Sequence, residues 1–258
     1  VIVHHVVDGD GTGPALVLSA SLGTTLAMWE PQVPALARRF RVVRYDRRGH
    51  GRSPVPPGPY RIDDLGRDVL ALLDQLELER VSFCGLSIGG AVGMWLAAEA
   101  PERIERLVLC CTRPAFPPPE QWAERAAAVR AGGVAAVAEA VLGRWFTPAF
   151  AAERPDVVRR FRTMLVETPA EGYAACCEAI GALDLQPRLG EIVAPTLVLT
   201  GELDPVVPPE SGASLAAAIP GARHVVIREA AHIANAEQPE AFTAALLEHL
   251  TETAEVVA

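Results

Sequence analysis

Val81-Ser-Phe-Cys-Gly-Leu-Ser87-Ile-Gly-Gly90 (VSFCGLSIGG) is the stretch that decides the fold. Val81 to Leu86 is an apolar run of strand length. From Ile88 to Ala100 the residues are small and apolar, and Pro101 stops them, which predicts a helix packed close to a sheet. Between the two, Gly85-Leu-Ser87-Ile-Gly89 has the G-x-S-x-G spacing of a sharp strand-to-helix turn that exposes a serine hydroxyl. The glycines are needed where a Cβ would collide with a neighbouring strand or helix. The serine sits at a helix N-terminus, where the dipole and free N–H groups favour negative charge.

The flanking sequence alternates in the same way. Strands are predicted over Val1 to Val7, Ala15 to Ala20, Arg41 to Asp46, Leu107 to Cys111, Thr196 to Gly201 and Val225 to Arg228. Pro31 to Arg39 has helical spacing, and Pro239 to Leu250 reads as a terminal helix. Asp63 to Leu78 is amphipathic, with Leu65, Val69, Leu72, Leu73 and Leu76 recurring at three- and four-residue steps. The alternation predicts an α/β fold with a mostly parallel central sheet flanked by helices. It breaks at Arg113. Pro114 and Pro117 to Pro119 mark an exit into Ala-rich helical sequence, and Pro195 marks the return. The expected organisation is a core of residues 1–112 and 190–258 with an inserted helical cap of residues 113–189.

A serine hydroxyl is a weak nucleophile without a base and an acid to orient that base. With the acid expected before the base in this fold, three histidines follow Ser87: His224, His232 and His249. His224 opens an apolar strand and His249 lies within the terminal helix, so both read as packing or surface residues. His232 falls in a loop between a strand and a helix, where a base belongs. Asp204 directly follows the strand at Thr196 to Gly201 and is the expected acid; Glu202 is the competitor, and Asp184 lies in the cap. The oxyanion donors expected are the backbone N–H of Ile88, after the serine, and that of Leu22, in the loop Ser21-Leu-Gly-Thr-Thr25.

Composition narrows the chemistry. The 258 residues are 50% hydrophobic and carry a formal net charge of -9, so there is no basic surplus for nucleic acid or an anionic membrane. All 23 basic residues are arginine. Without lysine, Schiff-base chemistry and a P-loop are excluded, and a bound anion must meet Arg or His. The five cysteines show no zinc spacing and read as reduced, buried thiols of a cytoplasmic protein. No signal peptide or long apolar span is visible. Asp8-Gly-Asp-Gly-Thr-Gly13 imitates the start of a calcium loop, but its twelfth position is Ser19, within a strand, so a hairpin turn is expected. His50, in Arg47-Arg-Gly-His-Gly-Arg-Ser53, reads as a structural loop residue.

Beyond these residues, the chain resembles the 3-oxoadipate enol-lactone hydrolases of the α/β-hydrolase superfamily. The segments LVLSASLGTTLAMWEPQVPAL, VVRYDRRGHGRSPVPPGPY, VSFCGLSIGGAVGMWLA, ERLVLCCT, EGYAACCEAI and AHIANAEQPEAF carry the resemblance. It places a triad on Ser87, Asp204 and His232, and departs from the usual pattern at Ala20, where relatives carry Asn. It implies opening of an enol-lactone to 3-oxoadipate through an acyl-enzyme, with no metal or organic cofactor. The implied partner is a small anionic lactone, with neither nucleic acid nor membrane. Its carboxylate would meet an arginine of the cap: Arg113, Arg125, Arg130 or Arg144. Trp122, beside Arg125, and Trp145, beside Arg144, would wall the ring. The alternatives on this scaffold are a carboxylesterase, a C–C bond hydrolase, a perhydrolase or a noncatalytic ligand receptor. Ser87 argues against haloalkane dehalogenases and epoxide hydrolases, which place Asp at that turn.

Overall fold

The strands form where apolar, β-prone runs are long enough to be covered on both faces. In the computed structural model, which describes residues 1–116 and 118–252, seven of them pair into one sheet. They are β1 (His5–Asp8), β2 (Ala15–Ser19), β3 (Arg41–Tyr45), β4 (Val81–Leu86), β5 (Ile104–Cys110), β6 (Thr196–Gly201) and β7 (Arg223–Ile227). Their spatial order is β1-β3-β2-β4-β5-β6-β7, parallel except for β1. Every residue of β4 and β6 is buried, whereas β1 and β7 are the exposed edges.

The expected hairpin between β1 and β2 does not form. β1 runs antiparallel to β3 instead, with His5 opposite Tyr45 and Asp8 opposite Val42. Both edges of β2 are taken by parallel partners, so the Asp8 to Gly13 turn has to carry the chain across the end of the sheet. Gly9 makes the crossing at φ +102°, where a Cβ would lie 2.7 Å from the Phe40 carbonyl oxygen. The acids of the calcium-like sequence serve this turn. Asp10 accepts from the Thr12 N–H and hydroxyl, and Asp8 pairs with Arg44.

The helices before the break are α1 (Val33–Leu36), α2 (Ile62–Gln75) and α3 (Ile88–Glu99). The first is a short piece of the nine-residue helix expected. α2 stops three residues early because Glu77 adopts φ 54° and Leu78 turns back to donate to the Leu73 carbonyl at 2.9 Å. β5 begins three residues earlier than expected and ends before Cys111, whose φ of 45° turns it out of the strand.

Between β5 and β6 the described residues form helices and no strand: α4 (Pro119–Gly132), α5 (Ala138–Trp145), α6 (Pro148–Glu153), α7 (Pro155–Glu167) and α8 (Ala170–Gly181). Of the prolines expected at the exit, Pro117 lies outside the described residues. α4 packs along α8, and the group lies over the C-terminal ends of the parallel strands, where ligands of α/β sheets bind. The chain then adds α9 (Pro209–Ala218), α10 (Ala234–Glu237) and α11 (Pro239–Thr251). Among the described residues no helix is long and apolar enough to cross a membrane.

α2 and α3 meet at Gly66, where an added Cβ would lie 2.0 Å from Cε3 of the Trp95 indole. Replacing Gly66 by Ala gains about 1 kcal/mol of helix propensity. The overlap with a buried ring costs about 1–3 kcal/mol and outweighs it. Urea unfolding should show Gly66→Ala less stable than the wild type, and the penalty should shrink when Trp95 is also replaced by Leu.

Candidate active site

β4 enters α3 through Ser87, whose φ of 58° and ψ of −120° are rare for a residue with a side chain. Such backbone costs about 1–3 kcal/mol and persists only where the surroundings hold it. Here the Ser87 N–H donates to the Cys110 carbonyl at 2.9 Å, and its own carbonyl accepts from the Thr112 hydroxyl at 2.7 Å. The two glycines of the motif are sterically required. A Cβ on Gly85 would lie 2.1 Å from the Gly89 oxygen, and one on Gly89 would lie 2.3 Å from the Ser19 oxygen.

His232, in the loop after β7, presents Nδ1 at 2.8 Å from Asp204 Oδ2. Both side chains are buried. Donation of Nδ1–H to the carboxylate leaves the Nε2 lone pair available as a proton acceptor. The other oxygen of Asp204 accepts the N–H groups of Val206 and Val207 at 2.7 and 3.0 Å, which fixes the carboxylate in place. Glu202, the competing acid, turns the other way and accepts the Glu229 N–H. Asp184 accepts the Gln186 N–H on the exposed side. His224 meets the Thr200 hydroxyl, and His249 donates to the Pro195 carbonyl. Cys111, Asp204 and His232 bring potential metal-ligating atoms within 4.8 Å of one another. Burial and the Asp204 charge push the Cys111 thiol well up, so it keeps its proton, while Asp204 is already occupied by three donors. This donor set does not suit a metal.

Ser87 and His232 open onto one cavity of about 270 Å³, which Leu22 also lines. The N–H groups of Leu22 and Ile88 have no other hydrogen-bond partner among the described residues, as oxyanion donors require. The loop carrying Leu22 is gripped from the segment after β3. The Gly23 N–H donates to His50 Nε2 at 2.9 Å, and the Arg47 guanidinium donates to the Ala20 carbonyl. Burial and the nearby Arg47 charge lower the pKa of His50 to about 3, so the ring is neutral.

Arg113, Arg125 and Arg144 all reach the cavity, and none forms an ion pair with an acid among the described residues. Burial and the neighbouring Arg125 charge push the Arg144 pKa down. Two guanidiniums that repel each other in a partly dry site favour an anion between them. The Arg125 guanidinium stacks 4.6 Å from the Trp122 ring centroid, and Trp122 and Trp145 line the walls. Arg130 does not belong here: it turns outward and is held by Glu171 and Glu178 at 2.8 and 2.5 Å.

Three contributors were not singled out from sequence. Tyr173 of α8 lines the cavity beside Arg125 and Arg144. Buried Arg47 acts on the Ala20 carbonyl, and its only sequence signal is a charge next to the apolar β3. Glu237 accepts the N–H and hydroxyl of Thr147 with one oxygen and the Ala231 N–H with the other, tying the segment between α5 and α6 to the His232 loop. An acid amid the apolar residues before Pro239 was its sequence signal.

Residues 14–239 match the family described as alpha/beta hydrolase fold. The chain is 42% identical to a 3-oxoadipate enol-lactonase of Acinetobacter baylyi over 251 residues, 95% of this chain and 92% of that protein. It superposes on the crystal structure of the enol-lactonase from Burkholderia xenovorans LB400 with a TM-score of 0.95 and 48% identity, covering 97% and 96% of the two chains. A Stutzerimonas stutzeri protein named for carbamate hydrolysis is 31% identical, over 97% of each chain.

The His50 ring makes stability depend on pH. Its proton is bound near pH 6.5 in an unfolded chain and near pH 3 in the fold. Between those values the unfolded state holds the extra proton, so stability rises with pH across that window and the penalty vanishes above it. Each unit of separation is worth about 1.4 kcal/mol. Urea unfolding at pH 7, 5.5 and 4.5 should therefore show His50→Gln gaining on the wild type as pH falls. A constant difference between the two proteins would contradict the assignment.

Proposed function

The chain belongs to the α/β-hydrolase family, and from that premise we propose that it is a serine hydrolase that opens 3-oxoadipate enol-lactone to 3-oxoadipate. The observation that carries this reading is one cavity that joins Ser87 and His232 to arginines with no acid partner among the described residues. The similarity to enol-lactonases over nearly the whole chain supports the same substrate.

In this reading Ser87, His232 and Asp204 are the catalytic residues. His232 Nε2 takes the Ser87 proton as Oγ attacks the lactone carbonyl. The tetrahedral oxyanion is met by the N–H groups of Leu22 and Ile88, each worth about 2.7–4 kcal/mol in comparable sites. Asp204 stabilises the imidazolium that forms. When the C–O bond breaks, the leaving group is an enolate held to the acyl chain. It takes the proton from His232 and becomes a ketone. His232 then accepts a proton from water as the water oxygen attacks the acyl ester, and returns that proton to Ser87 Oγ when the acyl C–O bond breaks, which frees Ser87 and the second carboxyl group, an acid that ionises. The helices of residues 113–189 act as the cap. Arg125 and Arg144, walled by Trp122 and Trp145, bind the substrate carboxylate, and Arg113 adds to the positive field at the cavity.

Ser87→Ala should fold normally and lose about 10⁴-fold or more in kcat on the enol-lactone. Arg125→Gln and Arg144→Gln should each raise KM by about 10- to 100-fold, the size of a charge-assisted hydrogen bond, and change kcat less. An ultraviolet assay of lactone opening, run beside an aryl ester and a small carbamate, tests the substrate. Fast turnover of either comparison compound with none of the lactone refutes the reading, and unchanged KM in both arginine variants refutes the anion site.

A further inference from the structure

The loop that offers the Leu22 N–H is not held by its own hydrogen bonds alone. Within Ser21 to Thr25, the Thr24 N–H and hydroxyl both return to the Ser21 carbonyl, at 3.3 and 2.9 Å. These bonds close the turn on itself and do not anchor it to the sheet. The anchors come from outside, and they bracket Leu22. On one side the Ala20 carbonyl accepts from Arg47, and on the other the Gly23 N–H donates to His50 Nε2 at 2.9 Å. Gly23 itself takes φ +74°, and a Cβ there would lie 2.5 Å from Leu165 Cδ1 and 3.0 Å from Tyr173 Cε2, so the turn needs glycine at this position. A donor into Nε2 requires an imidazole whose proton is on Nδ1. The Arg48 carbonyl lies 3.4 Å from Nδ1, on the side where it favours that tautomer. The ring is fully buried. Its loop is pressed on α8 at Gly49, where a Cβ would lie 2.6 Å from the Gly172 Cα.

We propose that His50 is a positioning residue for the hydrolytic reaction: as a neutral Nδ1–H tautomer it holds the Gly23 N–H and so keeps the adjacent Leu22 N–H directed at the oxyanion. It touches no substrate. It supplies a fixed acceptor for a backbone donor one residue from the donor that the reaction uses. The inference rests on the serine-hydrolase reading above, and not on the identity of the lactone.

The test uses His50→Ala and His50→Gln, with an aryl ester as substrate so that failure of the lactone assignment does not obscure it. Gln Oε1 reaches about as far as Nε2 and accepts a hydrogen bond; Ala cannot. Displacing an oxyanion donor without deleting it is expected to lower kcat by about 10- to 100-fold. His50→Ala should show that loss with KM within about twofold of the wild type. Its rate of Ser87 modification by a phosphonate ester, whose phosphoryl oxygen occupies the same donors, should fall in parallel. His50→Gln should recover most of both rates. Unchanged kcat in His50→Ala, equal loss in the two variants, or a change confined to KM would overturn the proposal. Nitrogen-15 histidine spectra of the wild type provide a readout free of any folding defect in the variants. His50 should show a protonated Nδ1 and a bare Nε2 at neutral pH, and an Nε2–H signal would overturn it. If the wild type hydrolyses no ester and its Ser87 resists the phosphonate while the tautomer is as expected, the serine-hydrolase reading has failed and the proposal falls with it.

Discussion

The close approach of β4 to α3 at Ser87 is the constraint on which the rest of the site depends. The strand and helix meet through Ser87 this closely because the positions two residues to either side carry no Cβ: one added at Gly85 or Gly89 would lie 2.1 or 2.3 Å from a backbone oxygen. The second contact is to Ser19, the last residue of β2. The geometry that strains Ser87 therefore also draws the end of β2 against the N-terminus of α3, which sets the Leu22 loop beside the Ile88 N–H. Neighbouring strands deliver the remaining groups. β6 ends before Asp204 and β7 before His232, and parallel pairing brings all these ends to one edge of the sheet. A chemistry that needs groups from distant parts of the chain thus follows from strand order and one tight turn.

The electrostatics run against the molecule's overall charge. A net charge of -9 places a diffuse negative field around the chain, while the cavity holds three guanidiniums without acid partners among the described residues. At contact distance inside a partly dry pocket the local groups dominate, because screening and the higher dielectric of the surface weaken remote charges. The depressed Arg144 pKa reflects the cost of holding two like charges there, a cost that a bound anion removes. By contrast, Arg130 sits on the same helix as Arg125 but is neutralised by two glutamates of α8. The two faces of α4 thus differ: one brings Arg125 to the cavity without an acid partner among the described residues, and the other neutralises Arg130.

That contrast also explains how much could be read from sequence. Ser87, Asp204 and His232 were legible because each is tied to the end of a strand whose pattern is local. The sheet itself was legible for the same reason, in the runs at Val81 to Leu86 and Thr196 to Gly201. Arg125 and Arg130 were not separable, since which face of α4 looks inward is set by its packing on α8 and by the reach of Glu171 and Glu178. The partner of β1 was illegible too. A turn sequence fixes a bend but not the neighbour beyond it, and both edges of β2 were claimed by strands far along the chain. His50 read correctly as a loop residue, but its acceptor role depends on a backbone N–H 27 positions away.

Among the joints between the helical segment and the rest of the chain, two bear on the site through different loops. Gly49 against Gly172 seats the His50 loop on α8, the helix that carries Tyr173 into the cavity. Glu237 joins Thr147 to Ala231, the residue before His232, and the Ile233 N–H adds a bond to the Trp145 carbonyl at 3.0 Å. Trp145 in turn lines the cavity. Burial pushes the Glu237 pKa up, opposing the very charge that makes it a strong acceptor, and the three donors offset that cost. A buried acid in that position is harder to keep than an apolar residue would be. What it gains is a bond that spans the segment shaping the cavity and the loop holding His232. Displacing either one therefore strains the other, because the cavity wall at Trp145 and the His232 loop are tied through the same few residues.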